Sequence, residues 1–449
     1  MPHAFLTLAT STIVAVALSA GLMAASTGAA DDWPSLRGPA GTGVTTETGL
    51  PERWSDAEGV AWRQKLPGAG VSTPVVVGPH VFVTSQIGAA ARRPGNHPSL
   101  VQGADAGERN LTTAGKPPAS EITFALTAYR WSDGVRAWQH EVAAEGPLVP
   151  VHDKHNLSTP SPVSDGQIVI AWYGTGQLVA VEAASGTALW SKHLGKEYGA
   201  FEINWGHASS PALHGDLVIL PCYHENGSYL LALDKRTGAV RWKRDRTPGA
   251  YSYSTPVVVS HNGVSALVLN SSRGVEAFDP ATGTPLWEVL GDNRFPIPMP
   301  VQHQDVLYLS RGYRSSPYLA IRLGGKGDVT KTHVVWHTPT GAPYVSSLVY
   351  YDGLLYMASE MGIVNAIDPA TGRSVWRERI GGVFTASPVA GDGKIYLASE
   401  TGETVVLRAG RTPTVLSRNK LNTHVVASPA ISRGRVFLRG DDELIAIGR

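Results

Sequence analysis

From residue 209 to residue 242 the chain reads SSPALHGDLVILPCYHENGSYLLALDKRTGAVRW. Its apolar residues fall into four short runs: around Pro211, then at 217–223, 229–233 and 239–242. Each run is too short for an ordinary helix, and turn residues bound each one. The pattern predicts a four-stranded antiparallel meander.

The same unit recurs along the chain. A Ser/Thr-Pro pair opens its first strand at Thr73-Pro74, Ser161-Pro162, Ser210-Pro211, Thr255-Pro256, Ser387-Pro388 and Ser428-Pro429. Two further copies are degenerate, Met299-Pro300 and Ser347-Leu348. From Pro162 onward the spacings are 49, 45, 44, 48, 40 and 41 residues, the length of a propeller blade. A second signature joins the third and fourth strands. AYRWSDGVRAW, AVEAASGTALW, ALDKRTGAVRW, AFDPATGTPLW and AIDPATGRSVW all take ten steps from Ala to Trp. Their tryptophans are Trp138, Trp190, Trp242, Trp287 and Trp376. In the fifth unit six extra residues separate Ala320 from Trp336, and the seventh unit, VLRAGRTPTVL, has lost its Trp. An Asp or Ser at the bend can bond the backbone, and Gly supplies a positive φ. The Trp offers a broad surface to the next blade and one N–H that needs an acceptor.

The last unit stops after three strands, while Trp62, in GVAWRQKLPG, is left over at the front. A strand at Trp62 that completes the last unit closes eight blades into a ring with no free edge between first and last. The expected organisation is an all-β, eight-bladed propeller over residues 57–449, with an N-terminal extension at 31–56 and a polar insert at 86–120 in the first blade.

Composition agrees with a strand-and-turn protein: 49 Gly, 31 Pro, and Trp and Tyr both more numerous than Phe. The formal net charge is +1 and no basic block occurs, which argues against nucleic acid as a partner. Residues 1–30 are mostly apolar and small, and read as a secretory signal cleaved after Ala30, with a membrane anchor as the competing reading. Cys222 is the only cysteine, so no internal disulfide forms and no cysteine at the end of the leader carries a lipid. There is no GxSxG elbow and no HExxH spacing.

The repeated A-x-D-x-x-T-G-x-x-x-W hairpins resemble the tryptophan-docking motif of pyrroloquinoline-quinone (PQQ) type propellers. With DDWPSLRGPAGTGV, HNLSTPSPV and INWGHASSPAL, the chain is similar to a group of exported bacterial PQQ-like repeat proteins that includes BamB-like scaffolds. That resemblance implies either a non-catalytic scaffold or a quinoprotein dehydrogenase that uses PQQ with Ca²⁺. The single cysteine removes the vicinal Cys pair of the alcohol dehydrogenases. The expected function is therefore a non-catalytic, monomeric, periplasmic or extracellular propeller that binds an envelope or extracellular protein. The alternative is a PQQ-dependent oxidoreductase, or a propeller that binds a small ligand or metal.

Meander geometry puts the Ala-to-Trp hairpins on one face, and the inter-blade links and second-to-third-strand loops on the other. The second face therefore holds the candidate ligand residues: His155, Asn156, Glu202, Asn204, Trp205, His207, His224, Arg273, Arg314 and His424. No catalytic residue and no metal ligand set stands out. Trp62, Trp138, Trp190, Trp242, Trp287, Trp336 and Trp376 are expected to be structural.

Overall fold

The computed structural model describes residues 1, 32–89 and 119–449, except Pro147, Val149, Pro150, Asp153, Glu202, Glu225, Asn226, Thr247, Pro248, Arg294 and residues 314–316. The expected leader and most of the first-blade insert lie outside the described residues. So do the candidates Glu202 and Arg314. Among the described residues, no helix is long and apolar enough to cross a membrane.

Eight antiparallel sheets follow one another along the chain, seven with four strands and one with five. The strand at Val60–Lys65 pairs with Glu443–Ile447 and completes the last blade, so the ring closes as expected. In the third blade the strands are Ala212–His214, Leu217–Cys222, Tyr229–Asp234 and Val240–Asp245. The fourth strand thus runs on past Trp242, beyond the apolar run that the sequence marks, because its outer residues are solvated Lys and Arg. In the first blade the strands His80–Gly88 and Ile122–Arg130 form one long hairpin, so residues 86–88 belong to a strand rather than to the insert. The extra residues of the fifth unit form a short strand, Gly327–Asp328, and a helical turn, Thr330–His333. That strand pairs in parallel with Trp287 and Glu288 of the preceding blade, giving the five-stranded sheet.

The hairpins dock blade to blade. Trp190 lies against Gly238 of the next hairpin, where an added Cβ would stand 2.7 Å from the indole, and Gly238 has φ 69°. The Trp190 N–H donates to the Lys235 carbonyl at 3.0 Å. Trp62, Trp138, Trp242, Trp336 and Trp376 repeat the bond to Trp131, Ala183, Pro280, Pro369 and Gly410. At the bend, Asp234 accepts the N–H groups of Arg236 and Thr237, both at 3.0 Å. The opening hairpin signature is therefore an adhesive between blades.

The Ser/Thr-Pro signature is a second, inner adhesive. The N–H of Thr73 donates to the Ser161 hydroxyl, Ser161 to Ser210, and Ser210 to Thr255. Met299 donates to Ser347, Ser347 to Ser387, and Ser387 to Ser428, all at 2.9 Å. Met299 carries no hydroxyl to receive the Thr255 N–H, so the degenerate fifth copy leaves a gap in the ring.

Residues 32–56 pass across the hairpin face. Trp33 pairs with Val76 of the first blade, Thr45 donates to Ala390 of the seventh, and Trp54 donates to Asn419. Trp33, Leu50 and Trp54 are buried in the core shared by the first, seventh and eighth blades. The extension is thus part of the propeller, and it closes one end of the axial channel.

Candidate functional site

With its lower end closed, the channel becomes a cup of about 210 Å³ that opens on the link face. Three groups of residues build its lining. The inner hydroxyl ring forms the waist. Leu36 and Arg37 of the extension form the floor. His152, Lys154, His155, Trp205, Tyr253, Phe295 and Tyr344 come from the links above.

The upper wall is divided by chemistry. On one side, the links of the third to sixth blades and the second-to-third-strand loop of the fifth gather Ile203, Tyr253, Phe295 and Tyr313, with the half-buried Trp205, Tyr251, Ile297 and Tyr344 packed on them. Phe295 meets Tyr313 edge-on at 4.7 Å. The Tyr253 hydroxyl donates to the Asn204 carbonyl. Trp205 reaches the wall from a backbone at φ 74°, and its carbonyl accepts the His152 N–H at 3.0 Å.

On the other side stands a charged chain. Lys154, entering the second blade, pairs at 2.5 Å with Glu400 of the seventh, across the axis. Thr385 donates to the same carboxylate. His424 lies 3.9 Å from Glu400 and 3.0 Å from Asp441. Burial alone pushes the Glu400 carboxyl up, but its His424, Lys154 and Thr385 neighbours outweigh that and hold it at about 2. The Asp441 hydrogen bond, followed by Glu400, raises His424 to about 9, so the ring is cationic at neutral pH. Glu360 is raised by burial, although its carboxylate accepts the N–H groups of Tyr344 and Val345 at 3.0 and 2.9 Å.

The floor is a single cation. Arg37 is 1% exposed, and its guanidinium donates to the carbonyls of Thr42, Leu348 and Pro388 at 2.9, 2.6 and 3.1 Å. Its Nε has no partner, and no carboxylate pairs with it among the described residues. Burial lowers the guanidinium to about 9, which leaves it charged at neutral pH. Gly43 makes room for it: with φ 76°, an added Cβ there would stand 2.5 Å from Arg37 Nη2.

Of the residues singled out by sequence, the structure brings His155 and Trp205 to the cup and His424 to its rim. His207 does not line the cup. It is buried 4.0 Å from the Trp172 ring, with Nε2 on the Ser209 carbonyl, and burial lowers it to about 3. His224 is likewise buried, against Phe201 and Tyr229. Asn156 fastens the link to Ala69 and caps Ser158, Asn204 is exposed beside the aromatic wall, and Arg273 is exposed away from the cup. Arg37, Lys154, Thr385 and Asp441 belong to the site but carry no motif that marks them in the sequence. Lys154 stood within HDKHN, and Arg37 opened the glycine-rich RGPAGTG.

A family model described as outer membrane protein assembly factor BamB matches residues 53–244, 123–294 and 360–448. Among solved structures, BamB from Moraxella catarrhalis is 17% identical, covering 72% of this chain and 88% of its own, with a TM-score of 0.53. The quinohemoprotein alcohol dehydrogenase of Comamonas testosteroni is 14% identical, covering 93% and 81%, with a TM-score of 0.66. At these identities the likeness is one of fold. A tetrathionate hydrolase of Acidithiobacillus ferrooxidans is 25% identical over 337 residues, spanning 70% of this chain but only 59% of the relative.

Among the described residues, the donor set does not fit PQQ with calcium, which some of this fold's members carry. Among the described carboxylates beside the cup, Glu400 is engaged by Lys154 and Thr385, Glu360 by backbone amides and Asp441 by His424. No group of three His, Cys, Asp or Glu converges on a metal position among the described residues. The docking hairpins, the closed eight-bladed ring and the family match agree: the chain belongs to the BamB-type, PQQ-like β-propeller family.

Proposed function

We propose that this chain is an exported, non-catalytic propeller that binds another protein of the cell envelope through its link face. The observation that carries the reading is the aromatic wall. Trp205, Tyr251, Ile297 and Tyr344 remain half-exposed around Phe295, outside the blade cores, on a ring rigid enough to present them. Aromatic anchors with polar tips, set in a stiff frame, are what protein interfaces concentrate their binding energy on. The charged chain beside them supplies a polar rim. The match to an assembly factor of the outer membrane supports an envelope partner.

The test is photo-crosslinking in the producing cell, with the crosslinker placed at Tyr344 or at Thr237 of a docking hairpin. A discrete adduct from Tyr344 and none from Thr237 supports the reading. Adducts from Thr237 alone overturn it.

A second reading, action on a small molecule in the cup, is favoured by the closed, cationic floor. Tetrathionate is the first substrate to try, given the distant relative. Its consumption by purified protein, followed by ion chromatography, decides between the two.

A further inference from the structure

The hydroxyl ring at the waist of the cup is used by neither reading, and with the cationic floor on which the second reading rests it points to a ligand class. Six hydroxyls of the inner ring, on Ser161, Ser210, Thr255, Ser347, Ser387 and Ser428, accept the N–H of the preceding blade. None of them has a protein acceptor for its own proton among the described residues. All six line the cup. Beneath them Arg37 is held in a left-handed backbone conformation at φ 67°, a strained position for a side-chain-bearing residue. Its guanidinium is buried beside the carbonyls of Leu348 and Pro388, the residues next to Ser347 and Ser387 in the ring.

Burying a cation without a counter-charge is costly, and the three carbonyls offset only part of that cost. A fold that spends an entire N-terminal loop, with Gly43 cleared for the guanidinium, on placing this cation on the axis has built half of an ion pair. The other half has a definite chemistry. It is an anion small enough for 210 Å³, with oxygens facing several directions, because its donors arrive from around a ring and from below.

We propose that the axial cup binds an oxyanion of the sulfate or phosphate class, seated on Arg37 and encircled by the free O–H groups of Ser161, Ser210, Thr255, Ser347, Ser387 and Ser428. Charge-assisted bonds from Arg and multiple hydroxyl donors suit a tetrahedral dianion better than a planar carboxylate. Entry is from the link face, past Lys154 and the cationic His424. The remaining volume, toward Tyr253 and Phe295, admits an aromatic or apolar body attached to the oxyanion. The site stands independently of the protein-binding face, and crosslinking results there do not bear on it.

The experiment is calorimetric titration of the intact chain at fixed ionic strength in chloride, with inorganic sulfate, inorganic phosphate and phenyl phosphate as separate ligands. Saturable one-to-one binding of at least one of them is expected. Phenyl phosphate binding at least tenfold tighter than phosphate identifies an organic ester as the source, and equal affinities identify the free ion. Arg37→Gln should weaken binding tenfold or more, and Ser387→Ala about threefold. Met299→Ser adds a hydroxyl at the degenerate fifth copy, and should tighten binding severalfold. If Arg37→Gln does not fold, the opposite responses of Ser387→Ala and Met299→Ser carry the test. Absence of saturable binding of all three ligands overturns the proposal. So does an Arg37→Gln protein that is folded by circular dichroism and binds like the parent, or a Met299→Ser and Ser387→Ala pair that leaves affinity unchanged.

Discussion

The hairpin face and the link face of this propeller are made from the same repeat, yet they differ in how faithfully each copy is kept. On the hairpin face the same contact recurs at five interfaces, those of Trp62, Trp138, Trp190, Trp242 and Trp336: an indole on a glycine, its N–H on a carbonyl, an Asp or Ser at the bend. On the link face no two blades match. Lys154 enters one blade, Trp205 another, Phe295, Tyr344 and His424 others. Packing between neighbours imposes the same demand at every interface, so the hairpins converge on one solution. The link face answers no such demand, and its residues are free to be specialised.

Four tests would break or sharpen that contrast. The largest effect is expected at the hairpins. Gly238→Val places a branched side chain at φ 69° and 2.7 Å from the Trp190 ring, costing about 4 kcal/mol in urea unfolding. Gly263→Ala, with a similar φ of 77° but open space around it, should cost about 1 kcal/mol, from backbone strain alone. Equal losses would remove the docking account.

On the link face, Lys154→Met leaves Glu400 half-paired where both side chains are largely buried, at 8% and 11% exposure. The expected loss is about 3 kcal/mol, and Lys154→Met with Glu400→Gln together should recover most of it. A double mutant no better than the single would mean that the pair is not coupled.

The charged chain also predicts a pH dependence. His424 is raised from 6.5 to about 9, so its contribution is complete below pH 6.5 and disappears as pH rises through 9. Glu400 is depressed from 4.5 to about 2, so its contribution is complete above pH 4.5 and disappears as pH falls through 2. The chain of charges therefore stabilises most between pH 4.5 and 6.5. The alkaline loss should be about 2 kcal/mol, allowing for the partial exposure of His424. Thermal unfolding followed from pH 5 to 10 measures it, and His424→Gln should flatten that limb.

Of the four tests, the smallest effect is expected from Trp376→Phe. It keeps one aromatic ring but removes the N–H bond to Gly410 and part of the indole surface, at about 1.5 kcal/mol. Trp242→Phe should match it. A large difference between the two would mean that the hairpin contacts are not equivalent.

The fold was legible in the sequence because its adhesive residues repeat. Ser161, Gly238 and Trp242 each occur in several copies at one spacing, and each copy solves the same interface. Even the closing strand at Trp62 could be placed, since it was the one Trp left over. The cup was legible only in part. The link face and its His155, Trp205 and His424 follow from meander topology, but depth along the axis does not, and His207 and His224 turned into the blade cores instead. Lys154 was hidden because its partner Glu400 lies 246 residues away. Arg37 was hidden for a different reason. It lies in an extension from the hairpin face, and nothing in RGPAGTG announces that its guanidinium enters the axial channel.

The central proposal is that the two faces divide the work, with the hairpins holding the ring and the link face meeting the partner. Crosslinking from Tyr344 and from Thr237 in the producing cell tests it most directly. A discrete protein adduct at Tyr344, lost on Trp205→Ala and absent at Thr237, is the predicted result. An adduct at Thr237 with none at Tyr344 would contradict it.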